Sequence, residues 1–168
     1  MAARRHLPVL QQRPQSAPEA LPDRADEPPP WHWIPMGTVV SVVAFALLAQ
    51  GAAALSLRAL ATVYPANAKP ADIAAVRARI PLRANAMELL AGTVPALTFL
   101  LAVALGGFVV GRYGPQTNHR HGVLSGACTA LLVWFVTGRV TAMLLMIPLA
   151  MLAAGGAARL GVRLRERA

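Results

Sequence analysis

Four runs of apolar residues, separated by polar stretches, set the pattern of this chain. The first extends from Ile34 to Leu57 and is interrupted only by small polar residues and Gln50. A helix rises about 1.5 Å per residue, so this run is long enough to cross a hydrocarbon core of roughly 30 Å. Trp31 and Trp33 stand at its entry, where the aromatic belt of a membrane span belongs. A second run, 86–110, contains Pro95 and closes on Gly106, Gly107 and Gly111 before Arg112. The third, 122–138, is short, and the fourth, 140–158, follows directly after Arg139. The last two read either as a tight hairpin of two spans turning at Gly138 and Arg139 or as a re-entrant pair. Two spans fit better, because each run approaches the roughly 17 residues that a thin bilayer requires.

The connections carry signals of their own. Ile73, Val76 and Ile80 recur at helical spacing beside Arg77, Arg79 and Arg83, which predicts a short interfacial helix over 71–80, ended by Pro81. Arg112 to His121 holds Gly114, Pro115 and Asn118 and predicts a polar turn between antiparallel helices.

Composition strengthens the membrane reading. The 168 residues are 56% hydrophobic and 14% charged, with a mean hydropathy of +0.50, against about 25% charged in soluble domains. The predicted fold is therefore all-α: a polytopic membrane protein with four transmembrane helices in a compact bundle over 34–158. A leader, 1–33, precedes it and a basic tail, 159–168, follows. Half of the fourteen prolines fall in the first thirty residues, so the leader is expected to be extended and disordered, either a solvated arm or a docking peptide. Arg4 and Arg5 lie too far from the apolar run at Ile34 for a signal peptide, and no cleavage is expected.

The net charge of +9 would suggest nucleic acid in a soluble protein, but its distribution points elsewhere. Arg4, Arg5, Arg13 and Arg24 are balanced by Glu19, Asp23, Asp26 and Glu27, which leaves the excess in loops and the tail. With the N-terminus inside, Arg112, Arg120, Arg159, Arg163, Arg165 and Arg167 join the four leader arginines. Arg58, Lys69, Arg77, Arg79, Arg83 and Arg139 fall outside, a count of ten to six. The positive-inside rule then places both termini in the cytoplasm. Those six inner arginines from Arg112 onward are expected to meet anionic lipid headgroups. A homo-oligomer or a membrane-protein partner is the expected protein contact, and nucleic acid is not.

Candidate chemistry is sparse. Glu88 is the one acid between Asp72 and Glu166, and an intramembrane carboxylate invites an ion or proton role. Asn85 three residues earlier favours a capping box instead, with Arg58 as the ion-pair partner. Gln50, Thr93, Thr98, Ser125 and Thr129 are expected to hydrogen-bond within the bundle, and Pro95 and Pro148 to offer kinks. His119 and His121 flank Arg120, which opposes a metal, so they read as a headgroup-facing turn. Cys128, the single cysteine, excludes an intrachain disulfide and is expected to be a packed small residue. No catalytic triad, carboxylate pair or phosphate loop occurs, so neither an enzyme nor a cofactor is expected.

Glycine placement is the strongest constellation. Gly107 and Gly111 close the second helix, and Gly122 and Gly126, continued by Ala130, open the third. Across a short turn these faces are expected to meet by small-xxx-small packing. Ala150, Ala154 and Ala158, with Gly155 and Gly156 beside them, offer a similar surface on the fourth.

From about Leu97 to Arg163 this arrangement resembles small bacterial four-helix inner-membrane proteins of unknown function. There a helix ends in Gly-Gly-x3-Gly-Arg, here Gly106, Gly107, Gly111 and Arg112, and the next opens on Gly-x3-Gly, here Gly122 and Gly126. The last ends in paired glycines, here Gly155 and Gly156. The resemblance implies a four-helix inner-membrane protein without an assigned activity. The leading function is a structural or accessory subunit acting through small-residue helix faces. The alternative is a small oligomeric transporter or channel using Glu88, Gln50 and Arg58.

Overall fold

The computed structural model describes residues 30–114, 119–137 and 144–168. The expectations for the leader through residue 29, for most of the polar turn after Tyr113 and for a turn at Gly138 and Arg139 lie outside the described residues. Within them the regular elements are helical. A 3-10 turn, Pro30–His32, leads into α1 (Trp33–Ala61); α2 (Pro70–Arg79), α3 (Pro81–Tyr113), α4 (His119–Val136) and α5 (Met146–Glu166) follow. Helices α1, α3 and α5 are each long and apolar enough to cross a membrane. Helix α4 has 18 residues and opens on His119, Arg120 and His121, which dilute its apolar run.

Prolines explain where several helices begin. Pro81 is the first residue of α3, where its missing N–H is no loss and its φ is preset. The helix therefore starts about one turn before the apolar run, and its 33 residues extend about 50 Å. Asn85 consequently lies inside the helix and caps nothing, which corrects the capping-box expectation. Pro148 falls in the first turn of α5, so it opens that helix and does not kink it. Helix α5 then continues to Glu166, and Arg159, Arg163 and Arg165, expected in a tail, sit on its last two turns. Pro95 is the interior case. It has no N–H for the Ala91 carbonyl, and the Ser56 hydroxyl of α1 donates to that oxygen at 3.1 Å.

Around the bundle the order is α1, α3, α5, α4, with α1 and α5 on opposite sides. Gly107 faces Ala154 and Gly111 faces Ala158, so α3 and α5 run parallel. Helices α1 and α4 run against them: Gly37 meets Val110 while Ser41 meets Gly106, and Gly122 meets Ala158 while Gly126 meets Ala150. One end of the bundle, the basic end, thus gathers Trp33, Tyr113, His119 and the end of α5. At the other end α2 lies against α3, with Ile73 and Val76 half-buried.

The two ends are packed differently. Toward the basic end the helices meet through glycine, alanine and serine. Further away larger side chains fill the interior, with Phe45 edge-on to Phe99 at 5.6 Å, beside Val103, Ala130 and Ala154. There an apolar cavity of about 270 Å³ remains between Phe45, Pro95, Phe99, Val133 and Met146.

Candidate functional site

Close packing at the basic end depends on α5. A Cβ built on Gly107 or Gly111 would fall on the carbonyl oxygen of Ala154 or Ala158. One built on Gly126 would lie 2.6 Å from the Ala150 oxygen, and one on Gly122 would run into the Ala158 methyl. The expected meeting of the Gly107/Gly111 and Gly122/Gly126 faces is therefore corrected: both pack on the same alanine stripe of α5, from two sides. Consecutive helices need not share the closest seam, and α5 inserts where the two small faces converge. A Cβ on Gly155 would lie 2.5 Å from a methyl of Val123, and Ala130 is buried in the core. Gly156 has open space beside it and takes no part.

Two small residues of α1 and one of α5 complete these seams. Gly37 and Ser41 lie against Gly106, Val110 and Ser125, and a Cβ on Gly161 would lie 2.6 Å from the Phe108 oxygen. The Gly37-x3-Ser41 spacing carried that signal in the sequence. Hydroxyls here mostly turn back on their own helices: Ser41 donates to Gly37 at 2.9 Å and Thr129 to Ser125 at 2.9 Å.

Glu88 sits at the other end in a different cluster. Its carboxylate accepts from the Arg77 guanidinium at 2.6 and 2.8 Å and from the Tyr64 hydroxyl. Arg58 is not its partner. The Ile80 corner between α2 and α3 folds Arg77 back over the start of α3, bringing residues eleven apart into contact. The Glu88 carboxylate pushes the Tyr64 phenol and the Arg77 guanidinium above their ordinary values, chiefly through these hydrogen bonds.

Gln50, Arg58 and Glu88 are not brought together. Arg58 is exposed near the end of α1, and Gln50 is exposed on its outer surface. The Gln50 carboxamide makes no hydrogen bond to any described residue. Ala46, Gly51, Ala53 and Ala54 lie exposed around it, and a Cβ on Gly51 would meet nothing. Helix α1 is also the most open of the three long apolar helices: 11% of its most apolar window is buried, against 39% in α3. Counting about 1.5 Å per residue, Gln50 lies about 12 Å short of Arg58 and about 26 Å beyond Trp33, well inside the apolar run. Cys128 is exposed on α4, which corrects its expected packing.

At the basic end, the Arg165 guanidinium donates to the Gly114 carbonyl and ties the end of α5 to the end of α3. Arg120, Arg159, Arg163 and Arg167 are exposed and Arg112 is half-buried. His119, Arg159, Val162 and Arg163 line a cleft of about 180 Å³ between α4 and α5. No protein-family model, curated protein or solved structure matches this chain.

Proposed function

We propose that this chain is a four-span inner-membrane protein with both termini cytoplasmic, serving as a structural or accessory subunit that docks on another membrane protein through the outer face of α1. Three helices have the length and composition of spans. Helix α4 supplies the fourth: its 18 residues reach about 27 Å, and it lies antiparallel along α5 through Gly122 and Gly126. This topology keeps the excess of arginine on the basic end and retains the resemblance to small bacterial four-helix inner-membrane proteins.

The observation that carries the docking role is Gln50. The small-residue seams of α3, α4 and α5 are occupied within the bundle, whereas α1 turns outward a carboxamide without a hydrogen bond among the described residues, beside four small residues that let another backbone approach. A carboxamide in hydrocarbon without a partner is costly, and a hydrogen bond to a neighbouring helix relieves that cost. The test is purification of the tagged full chain from its own membranes in mild detergent, with native mass determination. The wild type is expected in a stoichiometric assembly with a second membrane protein, and Gln50→Leu is expected to release it while the chain stays folded. A lone wild-type monomer, or an assembly unaffected by Gln50→Leu, would contradict the role.

A further inference from the structure

The cationic side chains at the basic end are not equivalent. Arg165 is held by the Gly114 carbonyl, and Arg112 lies half-buried where its backbone meets Gly161. Arg159 and Arg163 differ from both. They stand four residues apart on one face of α5, exposed and without a hydrogen bond or ion pair among the described residues, and His119 of α4 faces them across the cleft. Glu166, the acid nearest in sequence, is also exposed and pairs with neither. The cleft therefore presents two uncompensated guanidinium groups and an imidazole beside the positive end of the α4 dipole.

Its depth can be read from the packing. Gly37 touches Ser125, so these two residues share a level. His119 is six residues from Ser125, about 9 Å toward the basic end, and Trp33 is four residues from Gly37, about 6 Å in the same direction. The cleft consequently lies at the level of Trp31 and Trp33, the aromatic pair that marks the headgroup zone. Its fourth wall, Val162, is apolar. A cationic cleft with an apolar wall at headgroup depth matches an amphiphile: a phosphate between the arginines and a hydrocarbon portion turned toward the bilayer.

We infer that this cleft holds the phosphate of one anionic glycerophospholipid, bound chiefly by Arg159 and Arg163 with His119 as a third contact. The inference rests on the placement of the basic end at the membrane surface and not on the Gln50 face, so either can fail alone. The full-length protein is carried in micelles containing phosphatidylcholine with or without phosphatidylglycerol, and retained lipid is counted by native mass spectrometry. One phosphatidylglycerol is expected to be retained in preference to phosphatidylcholine. The double variant Arg159→Gln/Arg163→Gln is expected to weaken retention about thirtyfold, a factor of roughly five to six per arginine. Arg159→Lys/Arg163→Lys, which keeps the charge, is expected to recover most of it, and Arg167→Gln, outside the cleft, to change little. Equal retention by the Gln double variant, an equal loss in Arg167→Gln, or no preference between the two lipids would overturn the site. Displacement of the lipid by inorganic phosphate at the same concentration would overturn its assignment to a membrane lipid.

Discussion

At the scale of single residues, one methyl group decides whether α3 and α5 can pack. The atoms opposing Gly107 and Gly111 are backbone carbonyls of α5, which no change of rotamer moves aside. Gly107→Ala and Gly111→Ala are each expected to cost about 1–3 kcal/mol, the range for forcing a close-packed interface apart. Gly51→Ala and Gly156→Ala meet nothing and are expected to be neutral or stabilising, since alanine is the better helix former by up to about 1 kcal/mol. Thermal unfolding of the four variants in one detergent checks this, and equal losses at all four positions would contradict the assignment of the seams. The Tyr64 cluster gives a second expectation. Its phenol is raised by Glu88, so its contribution is present below the ordinary phenol range near about pH 10 and is lost as the pH rises through the folded value. In a Tyr113→Phe background, absorbance titration should place Tyr64 above free tyrosine, and Glu88→Gln should return it toward that value. A titration indifferent to Glu88→Gln would mean the hydrogen bond is not formed. The small residues were legible from spacing, but their partners were not: a four-residue repeat shows a face and says nothing of which helix fills it. Glu88 was legible as unusual, and its partner was hidden because Arg77 reaches it only through the corner at Ile80.

At the scale of helices, the apolar runs located every long helix but misplaced their ends by up to about two turns. The reasons are local. Pro81 and Pro148 favour first-turn positions, so α3 starts before its apolar run and α5 starts inside its own. Gly161 packs on α3 beyond the last apolar stretch, so α5 continues while its arginines reach outward. The most specific joint between helices is the Ser56 hydroxyl on the Ala91 carbonyl that Pro95 leaves free. Ser56→Ala is expected to destabilise the bundle by about 1 kcal/mol. In a Pro95→Ala background, where residue 95 supplies its own N–H, the same change is expected to cost clearly less. A double-mutant cycle measures the difference, and equal costs in both backgrounds would show that serine and proline are independent.

At the scale of the whole molecule, the bundle is tight at one end and open at the other, and the arginines of α5 stand at the tight end. Small residues bring the backbones close at the end that holds Trp31, Trp33 and the arginines of α5, whereas the aromatic half leaves an apolar cavity. In the proposed topology that asymmetry sets a direction across the bilayer, and four spans depend on α4 crossing with the other three. Single-cysteine accessibility in a Cys128→Ser background tests it most directly, with Asn67→Cys between α1 and α2, Gln116→Cys between α3 and α4, and Thr141→Cys between α4 and α5. Positions 67 and 141 are expected to react with an impermeant thiol reagent in intact cells, and position 116 to react only after permeabilisation. Labelling of 116 and 141 from the same side would contradict a spanning α4, and with it the four-span bundle.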